Sequence, residues 1–410
     1  MKRRAVYALL LLGLCVAGLG FWRALRVHAV SAAPSVSYLA SWSPDAAAKY
    51  LDEREVWWQY WPPAKRDHGT VCISCHTNVP YALSRRALQE QLGHAEMPAP
   101  EQVMLDNVEK RVSNWPQMTP FYSDAADGKG KTAQSHATEA VLNAVILASY
   151  DAGQGKLRPI TKTAFNEAWA LQEQTGENAG GWKWQNFRLV PWESAESAYQ
   201  GAAMLAIALG NAPDDYAADP DNSKHLQMLQ DYLKRQYAAQ PLMSKVYVLW
   251  ASARMPGLLD DAQRAKLLAE IGNLQQSDGG WILDSLDKQP FWKMLEGTSD
   301  SDGCATGLVV TALEEAGVNS RDKMLDHGLE WLRQHQSADG SWRAYSLNER
   351  RDPNSDIGRF MSDAATGYAV LALEIARQDT GQSRKLASIE SQPAAFRPPD
   401  SNHVHSTARP

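Results

Sequence analysis

The 410-residue chain has only four cysteines. That is too few for a disulfide scaffold at this size. It also lacks a basic excess: 41 Lys and Arg face 47 Asp and Glu, leaving a net charge of −6. The electrostatic footprint of a nucleic-acid binder is absent, so no nucleic-acid partner is expected. Long apolar runs are missing apart from one, at the start. Tryptophan, by contrast, is abundant at 15 residues, which suggests a repeated packing device or a deep apolar cavity.

The single apolar run follows Lys2, Arg3 and Arg4 and extends from Ala5 to Trp22. As a helix it reaches roughly 27 Å, enough to cross a thin membrane. The basic flank should stay cytoplasmic, which places the rest of the chain on the exported side. Residues 1–30 therefore read as an inner-membrane anchor with the bulk of the protein in the periplasm. A cut after the small residues Ala29-Val30-Ser31 would instead make them a signal peptide of a secreted chain. Cys15 lies inside the run behind Leu14, where a lipid-attachment motif would need a small residue, and reads as a buried membrane side chain.

Two of the remaining cysteines form the sequence Cys72-Ile-Ser-Cys75-His76. This spacing is the attachment pattern of c-type haem: two thiols bond one porphyrin and the next imidazole reaches the iron. Cys72 and Cys75 are the expected covalent haem c attachments and His76 the proximal iron ligand. Met97 or Met118, both beside prolines, are candidate distal ligands, with His94 and Met104 in the same stretch; a five-coordinate iron is the other option. A zinc site would need a second ligand pair nearby, and a thioredoxin-like pair would sit in a βαβ pattern; neither is evident. The haem segment is expected over residues 41–125. Its helices fall near 44–61, 80–92 and 100–114, and Trp57, Trp58 and Trp61 are placed to wall an apolar pocket or to pack a core.

Beyond residue 130 the chain repeats itself. WALQEQTGENAGGW at 169–182, LQQSDGGW at 274–281 and GLEWLRQHQSADGSW at 328–342 each end a helix in glutamine, a polar turn and Gly-x-Trp. A glycine there supplies a left-handed cap and the tryptophan folds back on the helix end. A fourth copy, 231–241, keeps the helix without Gly-x-Trp. Small-residue apolar helices alternate with these, at 134–145, 196–207, 302–313 and 362–373. Polar, amphipathic helices are expected over 163–174, 223–238, 260–276 and 321–336, with a capping box at Asp260 and Gln263. Helix pairs at this period argue for an all-α toroid or solenoid.

The G-x2-W-L-x3-Q-x3-G-x-W pattern at 328–342 resembles the QW repeat of squalene and oxidosqualene cyclases. The alternating helices resemble the α/α barrel those enzymes share with protein prenyltransferase β subunits. The resemblance implies a single toroid of about five helix hairpins over residues 130–378, followed by a disordered tail at 379–410. In such cyclases a D-x-D-D motif on an inner helix protonates the substrate. The matching stretch here offers Asp302, with Cys304 and Ala305 at the later acidic positions, and a thiol cannot replace a strongly acidic carboxyl. The prenyltransferase comparison implies a zinc set of Asp302 and Cys304 with His136 or Asp363. Each of these also has an ordinary cap or packing reading, so zinc is not expected. Inner helices starting at one end would gather Glu196, Asp302, Asp363 and His136 around one mouth, with residues 346–361 as a lid. Glu196, Asp302, Cys304 and Asp363 are thus the candidate catalytic residues.

Three functions follow. One is a membrane-anchored haem protein in electron transfer or redox sensing, meeting a redox partner protein, with the toroid as a binding module. Another is a haem-dependent redox enzyme acting on an isoprenoid or other lipid held in the toroid. The third is an enzyme like a terpene cyclase or prenyltransferase.

Overall fold

Small side chains at helical spacing let helix backbones approach closely, and long runs of them belong inside a structure. In the computed structural model, which describes residues 37–94, 96–287 and 300–390, these runs do form the interior. No β-strand is formed among the described residues, only isolated bridges such as Gln172–Trp182.

Among the described residues, twelve long helices alternate between an outer and an inner layer. The outer set is α1 (Pro44–Tyr60), α3 (Ala99–Ser113), α5 (Pro159–Ala170), α7 (Ser223–Gln236), α9 (Asp261–Asn273) and α11 (Lys323–Gln334). The inner set is α2 (Asn78–Leu92), α4 (Lys131–Gln154), α6 (Ser197–Asn211), α8 (Leu242–Arg254), α10 (Gly303–Glu315) and α12 (Phe360–Glu390). Each inner helix packs on the next, and α12 packs back on α2, so the inner ring is closed. Gly307 shows why small residues are needed: a Cβ there would stand 2.6 Å from the backbone nitrogen of Ala369 on α12. The capping box of α9 is present, with the Asp260 side chain accepting from Gln263 N and Gln263 bonding back to the cap.

The Gln-turn-Gly-x-Trp repeats are clamps between neighbouring outer helices. The amide of Gln336 donates to Gly340 O and to Ser43 O, both at 3.0 Å. Gln275 does the same with Gly279 O and Met324 O, and Gln172 with Gly180 O and His225 O. Each amide therefore closes its own turn and grips the start of the next outer helix. The indole N–H of Trp182, Trp281 and Trp342 donates to Ala168 O, Ile271 O and Leu332 O, capping carbonyls at the end of the preceding helix. Gly340 has φ +90° and sits where a Cβ would lie 2.1 Å from Ala46 O. Gly340→Ala is therefore expected to cost at least about 1 kcal/mol, read as a lower midpoint in urea. Gly155→Ala, also left-handed but with nothing within 4 Å of the added carbon, should cost less.

Several expectations are corrected. The ring has six hairpins rather than about five, because α1 and α2 supply the first pair. These helices, assigned from the sequence to a small haem segment, share one compact unit with the other described residues from Leu39 onward. The inner helix α8 was not anticipated from the repeats. Its Val246, Tyr247, Leu249 and Trp250 are buried like the others but lack the small-residue signature. Helix α12 continues to Glu390, into the stretch read as a tail. The proposed anchor at 1–30 and residues 391–410 lie outside the described residues. No helix among the described residues is long and apolar enough to cross a membrane.

Candidate active site at the mouth of the toroid

The turn that carries Cys72, Cys75 and His76 leads directly into α2, and its shape is set by polar side chains. Ser74 N donates to Asn78 Oδ1 at 2.7 Å, and the Ser74 hydroxyl accepts from the backbone N–H of Thr77 and of Asn78. The amide of Asn78 donates to both oxygens of the buried Glu55, at 2.8 and 2.9 Å. Trp58 Nε1 donates to Cys72 O at 2.8 Å. The turn is thus pinned to α1, and it presents its cysteines and histidine to a cavity of about 310 Å³. That volume is at the lower end of small-molecule sites.

Aromatic rings wall this cavity. Trp58, Trp61, Phe121, Tyr122, Trp192 and Phe360 all face it. His76 is packed among them: Phe360 stacks on its ring with centroids 4.0 Å apart, and Trp58 meets it edge-on at 5.1 Å. Trp57 stands behind, stacked on Trp61 at 5.1 Å. The loop at 346–361 contributes Asn348, Arg351, Ile357 and Gly358 to the same wall. It is tied down on two sides. Asn348 clasps the backbone N–H and C=O of Val190, and Arg54 holds Asp356.

Two carboxyl groups enter the cavity with opposite surroundings. Glu139 on α4 is buried and receives two charge-assisted hydrogen bonds from the Arg111 guanidinium, at 2.5 and 2.9 Å. Glu193 has only the Tyr122 hydroxyl as a side-chain hydrogen-bond partner, at 3.5 Å. Burial raises its pKa above the usual carboxylate range. Burial also pushes His76 down to about 3, so the imidazole is neutral at neutral pH. Cys75 is pushed up to about 12 by burial and by Glu193, and Cys72 well above its ordinary value by burial and by Glu139. Both thiols are therefore protonated and poor nucleophiles. Gln185 lines the cavity, and both polar atoms of its buried amide lack a protein partner. An unsatisfied buried amide is costly, and a polar ligand would satisfy it.

The other candidates from the sequence lie elsewhere. Asp302 caps α10, accepting from Cys304 N, Ala305 N and Leu283 N, and burial raises it to about 6. Cys304 is fully buried in the core. Glu196 is the cap residue of α6, and His136 packs on Trp115 outside the cavity. Met97 lies past the far end of α2, roughly 22 Å of helix from His76. Met118 is buried and does not line the cavity. Among the described residues, no three His, Cys, Asp or Glu side chains converge as a metal-binding group. Asp363 alone reaches the site, and only through Thr77 and His76. The sequence reading passes over Glu139, Glu193, Gln185 and Arg111.

No family model matches the chain, and no curated protein does. Solved structures do show similarity. A glycosyl hydrolase of family 88 from Bacteroides vulgatus is 13% identical, with 82% of this chain and 99% of that one covered and a TM-score of 0.48. An α-1,6-mannanase from Salegentibacter is 12% identical, with 82% and 99% covered and a TM-score of 0.46. A polysaccharide lyase is 13% identical, with 85% and 99% covered and a TM-score of 0.45.

These findings correct the sequence-based likeness. The structures named are carbohydrate-cleaving enzymes, and none is a squalene cyclase, a prenyltransferase or a c-type cytochrome. The physical reason is visible in the clamps: glutamine, glycine and tryptophan are spent on joining helix ends, so they report architecture and not cyclase chemistry. The Cys72–His76 turn likewise opens an inner helix of the ring. Covalent haem c is withdrawn, and with it electron transfer, redox sensing, the haem-dependent redox enzyme and the cyclase or prenyltransferase activity.

Proposed function

We propose that the mouth of the toroid binds a ring-shaped, hydroxylated ligand of the sugar type and performs acid–base cleavage on it. The observation that carries this reading is the aromatic-walled cavity that two carboxyl groups enter, Glu193 against the Tyr122 hydroxyl and Glu139 paired with the Arg111 guanidinium. Glu193, whose pKa burial raises, gives a proton to the leaving oxygen as its bond to the sugar carbon breaks, while neutral His76 takes a proton from the water that forms the new bond to that carbon. Glu139, neutralised by Arg111, is a fixed hydrogen-bond acceptor. The flat rings of Trp61, Trp192 and Phe360 suit stacking against the apolar face of a sugar, and Gln185 supplies a polar contact at its edge.

The test is a tryptophan-fluorescence titration with neutral and acidic oligosaccharides, followed by analysis of the products. Quenching by at least one glycan, weakened in Trp192→Ala, supports the reading. Absence of both quenching and cleavage across the panel overturns it.

A further inference from the structure

The imidazole of His76 is neutral, so one ring nitrogen carries a proton and the other a lone pair. Which is which follows from counting hydrogens across the seam between the first and last hairpins. Asp363, buried on the first turn of α12, receives the Tyr50 hydroxyl at 2.9 Å and Arg54 Nε at 2.7 Å on Oδ1. Its Oδ2 receives Arg54 Nη2 at 3.0 Å and the Thr77 hydroxyl at 2.9 Å. A carboxylate has about four acceptor sites, and all are filled by donors. Thr77 has one hydroxyl hydrogen, and it is committed to Asp363. Its oxygen also lies 2.9 Å from His76 Nδ1. With its hydrogen pointed away, Thr77 can only accept from that nitrogen. Reversing the order would set two lone pairs face to face in a buried site, with the Asp363 carboxylate left short of a donor.

We propose that Thr77 and Asp363 are positioning residues that hold His76 in the Nδ1–H tautomer, leaving Nε2 as the unprotonated acceptor for the ligand in the cavity. Burial raises the Asp363 carboxyl above its ordinary range, and the charge of Arg54 with the hydrogen bonds from Arg54, Thr77 and Tyr50 opposes that rise and fixes the group as an acceptor. The inference deepens the acid–base reading above and rests on it for its catalytic meaning, but the tautomer is a property of the free protein. The histidine is set by a residue beside it in sequence and by a carboxylate contributed from the opposite end of the chain.

The test is a long-range proton–nitrogen correlation spectrum of the free, full-length protein labelled with 15N-histidine, at neutral pH. His76 is assigned by the signals missing from His76→Gln. The wild type is expected to show a protonated Nδ1 and an unprotonated Nε2. Thr77→Val should lose that pattern, giving the Nε2–H form or a mixture, and Thr77→Ser should restore it. A wild-type spectrum with Nε2 protonated would overturn the inference without any variant, as would a Thr77→Val protein with the wild-type tautomer. In a glycan-cleavage assay Thr77→Val should lower kcat on the order of 10²-fold, with KM nearly unchanged. A shifted tautomer with undiminished cleavage would uphold the positioning role and remove His76 from the proposed chemistry.

Discussion

Asp363→Ala is expected to destabilise the protein by about 3–5 kcal/mol. The substitution removes the buried carboxylate paired with Arg54 and leaves a guanidinium that is 3% exposed without its main counter-charge. It also strips a hydrogen-bond acceptor from Tyr50 and Thr77, each buried. The remaining partner, Asp356, lies on the loop with 55% of its side chain exposed and cannot compensate. Urea unfolding followed by tryptophan fluorescence should show a lower midpoint at an unchanged slope. The double variant Arg54→Met/Asp363→Leu should recover most of the loss, because replacing both charges removes the uncompensated one. A single variant as stable as the wild type would show that the pair does not hold the seam.

Glu193→Gln is expected to lower cleavage by about 10²- to 10⁴-fold while leaving ligand binding within a few-fold of wild type. Glutamine keeps the size of the side chain and its place against Tyr122, but has no proton to give. The pH dependence carries the sign of the shift. A carboxyl whose pKa is raised by burial stays protonated through a higher range of pH than usual. Wild-type activity should therefore be present on the acid side and fall as the pH rises through that raised value. The residual activity of Glu193→Gln should lack this fall. Full activity in the glutamine variant would remove Glu193 from the chemistry.

Much of the architecture was legible because its signals are local. The Gln-turn-Gly-x-Trp clamps fall within about a dozen residues, and the capping box at Asp260 within four, so one stretch of chain contains both the group and the reason for it. What the sequence hid was the ring's closure and the site. Helix α2 looks like part of a separate segment because a conspicuous cysteine motif precedes it. Its role as the inner helix that closes the ring depends on contact with α12. Asp363 could be picked out as an acid at the start of an inner helix, but its partner Arg54 is 309 positions away. Glu139 and Glu193 carry no motif at all. Arg111, on the preceding outer helix, pairs with Glu139, and the burial of Glu193 depends on packing brought in from separate segments.

The clamp at Gln336 has a consequence for how the molecule comes into being. It grips Ser43, 293 positions earlier, so the first hairpin of the ring must wait for nearly the last. Until the stretch around residue 336 has been synthesised, α1 has α2 and α3 beside it but lacks its partner across the seam, and the cavity beside His76 lacks the wall supplied by Phe360. Pairing ends so far apart is slow compared with forming each hairpin. The five other junctions can close as the chain emerges, and the binding site then forms last, in the same step that seals the ring.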